Sequence, residues 1–381
     1  MTMEVTVEFT KAELVEMWQR PPEEQIGTAI AKMAEAFSRT QGNIAVMWSG
    51  GKDSTALLWL AARLWVGMFG DKPLTVAFAD TTNEHKEIYA FFPVFLDYLK
   101  EQTGVVIEFM RCRPGKGTTF VSVIREHGLP LVSKHVSMCL RKLKRYINQQ
   151  GLVWGDVKPY CNYGDRQSTK ALQDMGLNKT AVLIGTGYVH SADTFCRDYF
   201  LPYKWQPLMG FTAAQISEEC CDALKKDIAN TALSDKGIHC VMLGEMACDS
   251  RQREQAYLKT GCTNIDILTG CGKSKPFGPV TEQTLLGFIQ QHNIPQSSYY
   301  GDLCSRDGHL CFSKHSRGGC ALCGFGIEHE QDRFAKLYFE DYAKCRIGFL
   351  PLEKGGLGYK EACEYLNENC GMHIEIPQID E

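Results

Sequence analysis

The sequence predicts an α/β fold built on a parallel sheet, and three observations carry that expectation. From Asn43 onward short apolar runs alternate with helical segments, the strand, helix, strand rhythm of right-handed crossovers. The chain has 381 residues, enough to bury a sizeable core without disulfide staples. Its composition, 44% hydrophobic and 23% charged, is that of a globular protein and excludes fibrous, disordered and coiled-coil classes.

Residues 1–42 are expected to be helical: residues 10 to 40 read as two amphipathic helices divided at Pro21-Pro22, with Ile26, Ile30, Met33, Ala34 and Phe37 at helical spacing on the second. Residues 43–112 then give IAVMW (44 to 48), a helix from about Ser54 to Val66, LTVAFAD (74 to 80), a helix from about Glu84 to Gln102, and VVIEFM (105 to 110). Residues 113–235 are mixed and largely helical, a large insertion. HCVMLGE (239 to 245) returns to the sheet within a second half, 236–303. Residues 304–381 are rich in Gly, Cys and His and read as loops followed by helices near 331 to 345 and 359 to 369.

With 41 Lys+Arg against 45 Asp+Glu the net charge is -4, so any site for a polyanion must be local. The strongest local cluster follows Cys139 in SMCLRKLKR, where Arg141, Lys142, Lys144 and Arg145 make either a nucleic-acid or phosphate face or an ordinary solvated helix face. The longest apolar stretch, Ala56 to Gly70, is interrupted by Arg63 and is short of the roughly 18 residues a membrane span needs. The opening residues carry acids and no cationic end leading into an apolar core. The expectation is a cytoplasmic protein with no membrane partner. Seventeen cysteines in that setting are core fillers or metal ligands rather than a disulfide framework.

The first strand runs directly into Ser49-Gly50-Gly51-Lys52-Asp53-Ser54 and then a helix. Two glycines let backbone N-H groups turn inward, the helix start adds partial positive charge and Lys52 a full one, so phosphate oxygens are the natural ligand. Walker spacing is not met, because Val46 and Asp53 stand where that motif needs glycine and Ser/Thr. The second strand ends in Asp80-Thr81-Thr82-Asn83-Glu84, at the carboxyl edge where parallel sheets bind ligands. Asp80, Thr81 and Glu84 are therefore expected near adenosine or metal, and Thr82 or Asn83 also suits a helix cap.

SGGKDS after a buried strand resembles the PP-loop of the ATP pyrophosphatase superfamily. Together with DTTNE, the CCDALKK segment from Cys220, MLGEMACDSRQRE from Met242, SKPFGPVTEQTLLGFIQQHNIP and GCALCGFGIEHEQDRF, it makes the chain similar over about residues 43 to 345 to the phosphoadenosine phosphosulfate (PAPS) reductase family. That family includes sulfonucleotide reductases and ATP-consuming sulfur-insertion enzymes such as those of DNA phosphorothioation. The resemblance implies a Rossmann-like PP-loop domain of adenine nucleotide alpha hydrolase type. It implies that Ser49, Gly50, Gly51 and Lys52 grip the pyrophosphate of ATP, with Asp53 and Ser54 helping to hold phosphate and Mg2+, and Lys52 and Asp53 catalytic. It also implies that Glu245, Asp249, Ser250, Arg251 and Arg253 face phosphate or sulfate, where arginines give bidentate contacts. An exposed helix start with i, i+4 charge pairs is the alternative there.

Gly319-Cys320-Ala321-Leu322-Cys323-Gly324 places two thiols one tight turn apart, as chelation needs. Cys220-Cys221 resembles the paired cysteines of cluster-bearing members, so Cys220, Cys221, Cys320 and Cys323 are the ligands the resemblance implies for a 4Fe-4S cluster. Zinc is the alternative, with Cys304, His309, Cys311 and His315 just ahead of Cys320 able to complete a tetrahedral site. Cys262 is a further neighbour for a cluster, and Cys139 a further candidate ligand.

The reductases of the family end in Glu-Cys-Gly-Leu/Ile-His, and this chain carries Asn369-Cys370-Gly371-Met372-His373, without the Glu. Cys370 with a depressed pKa would be a nucleophile; equally, Asn369 and Gly371 make a helix stop ahead of a strand HIEI. The intact loop favours cleavage of ATP to AMP and pyrophosphate over reduction of an already activated sulfate. The expected reaction is activation of an acceptor, nucleic acid included, for sulfur from a cysteine desulfurase or thioredoxin-like donor. Thiol-dependent reduction of a sulfonucleotide and a nucleotide-binding sensor or defence component are the alternatives.

Overall fold

The computed structural model describes residues 9–186, 200–266 and 272–379. They form two compact units: residues through Pro114 with Lys225–Cys320, and Gly115–Leu224 with Ala321 onward. The stretch expected as one Cys-rich region, 304–381, is therefore divided between the units, with Cys320 in the first and Cys323 in the second.

In the first unit Thr10 caps α1 (Lys11–Gln19) through a reciprocal box with Glu13, and Pro22 opens α2 (Pro22–Arg39), as the Pro-Pro break predicts. β1 (Ala45–Met47) leads to α3 (Lys52–Phe69), β2 (Leu74–Ala79) to α4 (Lys86–Thr103), and β3 (Ile107–Cys112) follows. Helix α3 begins two residues earlier than the sequence suggests, because Gly51 already serves as its cap and draws Lys52 into the first turn. The six-stranded sheet has the order β3, β2, β1, then Cys240–Met242, Gly272–Ser274 and, antiparallel at the edge, Thr263–Ile265. All other pairings are parallel. HCVMLGE thus joins the sheet as expected, beside β1. Because the chain leaves β1 for β2 on one side and returns on its other side, the switch point of the sheet lies at the carboxyl end of β1, where crevices form.

The core beneath that edge is aromatic. Trp48 is buried, stands edge-on to Phe92 at 4.7 Å and lies 5.3 Å from Phe95. Its indole N-H donates to the Thr55 hydroxyl at 3.0 Å, tying the strand end to the first turns of α3.

The second unit has its own core around Leu140, Leu143, Trp205, Phe334, Phe349 and Tyr359. A two-stranded parallel ladder, Leu131–Val132 with Gly324–Phe325, lies within it. The basic segment is a helix over Lys134–Gln149, so Cys139 sits inside the helix rather than ahead of it. The helix expected near 331 to 345 is two, Arg333–Glu340 and Tyr342–Phe349, because Asp341 ends one and caps the other. The last helix, Tyr359–Cys370, stops at Gly371 with φ +62, as the Asn-Cys-Gly pattern predicts. HIEI does not form a strand: the Ile374 N-H donates to the Asn367 side chain at 2.7 Å and the Glu375 N-H to the Gln331 carbonyl at 2.9 Å. Among the described residues no helix is long and apolar enough to cross a membrane.

Candidate nucleotide phosphate site

Ser49 to Ser54 turn at the switch point. Gly50 has φ +73, and a Cβ there would stand 2.8 Å from Ile88 Cγ2, so only glycine fits without displacement. The loop is clasped by its two serines: the Ser49 and Ser54 hydroxyls are 3.1 Å apart, the Gly51 N-H donates to Ser49 Oγ at 3.3 Å, and Ser54 Oγ donates to the Gly51 carbonyl at 3.0 Å. Gly244, just past the neighbouring strand, lets that strand approach α3 so closely that a Cβ would lie 3.0 Å from Ser54 N.

Lys52 is 4% exposed, and its ammonium contacts Asp53 Oδ1 at 2.7 Å and Glu282 Oε1 at 3.2 Å. Burial favours the neutral amine, yet the two carboxylates outweigh burial and hold its pKa above the ordinary value. Asp53 is also pushed up, first by burial and further by Asp249 and Glu282, against the pull of Lys52. Two acids, Asp53 and Glu282, thus hold one buried ammonium. The Lys52 N-H donates to the Tyr300 hydroxyl at 3.3 Å, and burial pushes that phenol far up, so it stays protonated.

At the end of β2, Asp80 is fully buried and both of its oxygens are engaged. Oδ1 accepts the Tyr89 hydroxyl at 2.7 Å and the Thr82 N-H at 2.9 Å, and Oδ2 accepts Nε of Arg111 and of Arg113, each at 2.7 Å. Burial alone would raise its pKa, but these four bonds outweigh it and hold the carboxyl below its ordinary value. Asp80 is therefore a hub that orients other groups. Thr81 donates its hydroxyl to Glu84 Oε1 at 2.9 Å, and Glu84 also meets Lys225 Nζ at 3.4 Å. Cys320 Sγ lies 3.5 Å from Thr81 Oγ1 and 3.8 Å from Glu84 Oε1, within a bridge between Glu84 and Cys320.

Beyond Cys240–Met242, Glu245 pairs with Lys275 at 2.6 Å; burial pushes its carboxyl up, but Lys275 outweighs this and holds it low. Ser250 caps the helix Arg251–Thr260 by accepting the Arg253 N-H at 3.3 Å. The Arg253 guanidinium pairs with Asp249, the i, i+4 pattern of the alternative reading. Arg317 adds a bond to the Asp249 carbonyl at 3.2 Å.

The expected cysteine chemistry is divided. Cys370 is 6% exposed, and burial pushes its thiol up to about 11, the opposite of the depressed pKa a nucleophile needs. Cys262 packs with Leu14, Ala247 and Tyr257, and burial raises it to about 11; Cys139 is raised by burial to about 12. Both behave as core thiols. Cys304 and Cys311 stand 3.8 Å apart on the hairpin Leu303–Arg306 and His309–Phe312, but His309 pairs with Arg306 at the far end of that ladder and His315 stacks on Tyr299 at 4.1 Å. The four do not gather as zinc ligands. Within each unit, among the described residues, no three His, Cys, Asp or Glu side chains form a metal-ligand set.

In the second unit the basic helix borders an open cleft of about 860 Å³ lined by Arg141, Lys144, Arg145, Trp154 and Gln215. Arg141 is held by Glu218 and by Glu219 at 3.1 Å, and Lys144 donates to the Phe211 carbonyl at 2.6 Å. Two of the four expected charges are thus used internally.

Sequence reasoning missed Tyr300, Glu282, Arg111 and Arg113. Tyr300 lies 248 residues from its partner and carries no local signal. Arg111 and Arg113 follow the same carboxyl-edge rule that found Asp80, applied one strand further.

The fold and the loop make an α/β domain with a glycine-rich turn at the carboxyl edge of its sheet. Residues 43–149 match the family model described as phosphoadenosine phosphosulfate reductase domain, so the resemblance is shown over that stretch, which spans the loop and β1 to β3. This supports the class of nucleotide-binding PP-loop enzymes. No curated protein matches the chain. Among solved structures it is similar to phosphoadenylyl-sulfate (PAPS) reductase from Candida auris, in a phosphate complex, at 10% identity, covering 77% of this chain and 92% of that one with a TM-score of 0.32.

Two outcomes test this geometry. Gly50→Ala should weaken ATP binding by about tenfold or more in calorimetric titration, since a left-handed alanine costs about 1–2 kcal/mol before Ile88 is displaced; unchanged affinity would contradict the loop's role. At pH 7.5 iodoacetamide should label Cys370 at least about a hundredfold more slowly than a free thiol, followed by peptide mass spectrometry, because almost none of it is thiolate. Labelling at the free-thiol rate would return Cys370 to the set of nucleophiles.

Proposed function

We propose that the first unit binds ATP with its pyrophosphate end on Ser49–Ser54 and cleaves it to AMP and pyrophosphate, activating an acceptor for sulfur insertion. The acceptor oxygen attacks the α-phosphorus, the bond from that phosphorus to the bridging oxygen breaks, and pyrophosphate leaves with the electron pair. Sulfur at the sulfide level, freed from a donor persulfide when a second thiol joins the donor in a disulfide, then bonds to the acceptor atom, and AMP leaves with the acceptor's oxygen. The observation that carries this reading is the loop itself, a left-handed Gly50, a serine clasp and a buried Lys52 ammonium at the switch point of the sheet. Substrate that arrives already activated needs no such grip on pyrophosphate.

In this reading the amides at the start of α3 and Lys52 hold the leaving group, and Glu282 and Tyr300 fix Lys52 in place. Asp53 and Asp249 repel one another across the loop, and such a carboxylate pair suits a hard divalent cation. Mg2+ held there would neutralise the charge of the departing pyrophosphate. Arg251, Arg253 and Glu245 lie along the strand end beside the loop and complete the nucleotide-facing set in this proposal.

A nucleic acid is the acceptor we propose, on the strength of Lys142 and Arg145 on the helix Lys134–Gln149. A cysteine desulfurase or thioredoxin-like protein is the proposed sulfur donor, in a cytoplasmic setting that keeps thiols reduced. The reductase alternative loses support from the buried, raised Cys370 thiol.

The cluster proposal rests on the sequence pairs Cys220-Cys221 and Cys320/Cys323. In this proposal Cys220, Cys221, Cys320 and Cys323 would hold the cluster.

Incubation with ATP, Mg2+ and acceptor should release pyrophosphate, and Asp53→Ala should lower the rate by about a hundredfold or more with an unchanged melting profile. Thiol-dependent sulfite from a sulfonucleotide without pyrophosphate would replace this reading by the reductase, and tight binding with neither product by the sensor. Protein purified without oxygen should carry about four iron and four sulfide per chain, lost in Cys320→Ser. One zinc, or no metal in either protein, would retire the cluster.

A further inference from the structure

The open cleft of the second unit takes no part in the phosphate loop. Its volume of about 860 Å³ is within the range of ligand sites, and all of its lining comes from residues 141–219. One side of it is the helix Lys134–Gln149, on which Arg141, Lys144, Arg145 and Asn148 fall at i, i+3, i+4 and i+7 and so share one face. Trp154, which is half-buried, Val153, which is 63% exposed, and the exposed Gln215 also line it.

Like charges at i, i+3 and i+4 cost helix stability, and here they are only partly compensated. Glu219, the one acid of the lining, is taken by Arg141 at 3.1 Å, and Glu218 holds the same guanidinium. Lys144 gives one hydrogen to the Phe211 carbonyl at 2.6 Å; burial pulls its pKa below the ordinary value and no acid opposes it. The exposed Arg145 guanidinium lies 5.3 Å from the centre of the Tyr146 ring, and Lys179 Nζ lies 5.3 Å from that same centre. Among the described residues no carboxylate pairs with Lys144 or Arg145. A free guanidinium beside an indole and side-chain amides matches one nucleotide of an unpaired strand, with phosphate at the cation, base on the ring and base edges at the amides. A duplex keeps its bases stacked and offers none to Trp154 unless one is flipped out. An open cleft also lets a chain enter and leave.

We propose that this cleft binds a single strand of nucleic acid, with a phosphate at Arg145 in the positive field of Lys144 and a base stacked on Trp154. The proposal rests on the reading that a nucleic acid is the acceptor, and it narrows that acceptor to an unpaired segment. Recognition of the strand is thereby assigned to residues that have no part in the phosphate loop.

Anisotropy titration of the full chain with fluorescein-labelled oligothymidylate and oligouridylate of about ten nucleotides tests this. At least one of the two should bind, and a duplex of the same length should bind at least about tenfold more weakly, because a base must leave its stack. Trp154→Leu should weaken strand binding by about tenfold or more, the scale of one stacked base, while Trp154→Phe keeps a ring and most of the affinity. Arg145→Gln should make the slope of log affinity against log salt shallower by about 0.7, the share of one phosphate contact. Melting profiles check that each variant folds. Binding of neither oligonucleotide, equal binding of the duplex, or affinity and slope unchanged in both Trp154→Leu and Arg145→Gln overturns the proposal. Thymidine 5′-monophosphate bound as tightly as the strand, and lost in the same variants, overturns the strand as the occupant. The titration uses no ATP, so failure of pyrophosphate release counts against the ATP reading alone, and failure of strand binding against the cleft alone.

Discussion

A buried ammonium at the head of α3 constrains the first unit more than any other group. Lys52 lies under the loop with almost no solvent, where an unpaired charge would cost several kcal/mol. Asp53 is adjacent in sequence and supplies one carboxylate, but Glu282 must be delivered by a helix more than two hundred residues away. The strand Cys240–Met242, on the far side of β1 from β2, carries the chain back to that side, and the glycine after it lets it pack against the start of α3. The order of the sheet is thereby coupled to the charge balance of the loop. Asp53 and Glu282 together leave a net excess of acid around Lys52.

Asp80 is the mirror case. Its carboxylate is as buried as Lys52, but it is satisfied from both sides by four donors and stays ionised. The loop has one cation held by two acids, and the neighbouring strand end has one acid held by two cations. The carboxyl edge therefore carries alternating local excesses, negative around Asp53 and positive around Arg111 and Arg113, on a chain whose overall charge is only -4.

The sheet, the two opening helices and the loop were readable because each depends on local pattern. Apolar runs in IAVMW and LTVAFAD, the Pro-Pro break and the glycines of SGGKDS act within a few residues of where they stand. What the sequence concealed is set by distant contacts. Asp80 reads as a ligand contact at a strand end, and only the arrival of Arg111 and Arg113 from β3 shows that its oxygens are consumed. Arg141 and Lys144 read as part of a phosphate-binding or solvated helix face, whereas their partners, Glu218 and the Phe211 carbonyl, lie about seventy residues away along the chain. HIEI has strand composition, but Asn367 and Gln331 accept the Ile374 and Glu375 N-H groups in place of a partner strand. Residue type therefore located the functional edge, and pairing decided which residues on it remain available.

The same distinction separates the competing chemistries. A tail cysteine beside a histidine looks like a nucleophile when read as letters, since its reactivity depends on a thiolate that the letters cannot report. In the structure Cys370 ends a helix inside the core of its unit, where removal from water favours the neutral thiol and only Lys204 opposes it weakly. A reductase that relied on this cysteine would first have to expose it or bring a cation to it. The loop needs no such rearrangement: its glycine conformation, serine clasp and paired lysine are already in place. The preorganised loop and the buried thiol are the two observations that support the proposed attack at phosphorus over attack by this sulfur.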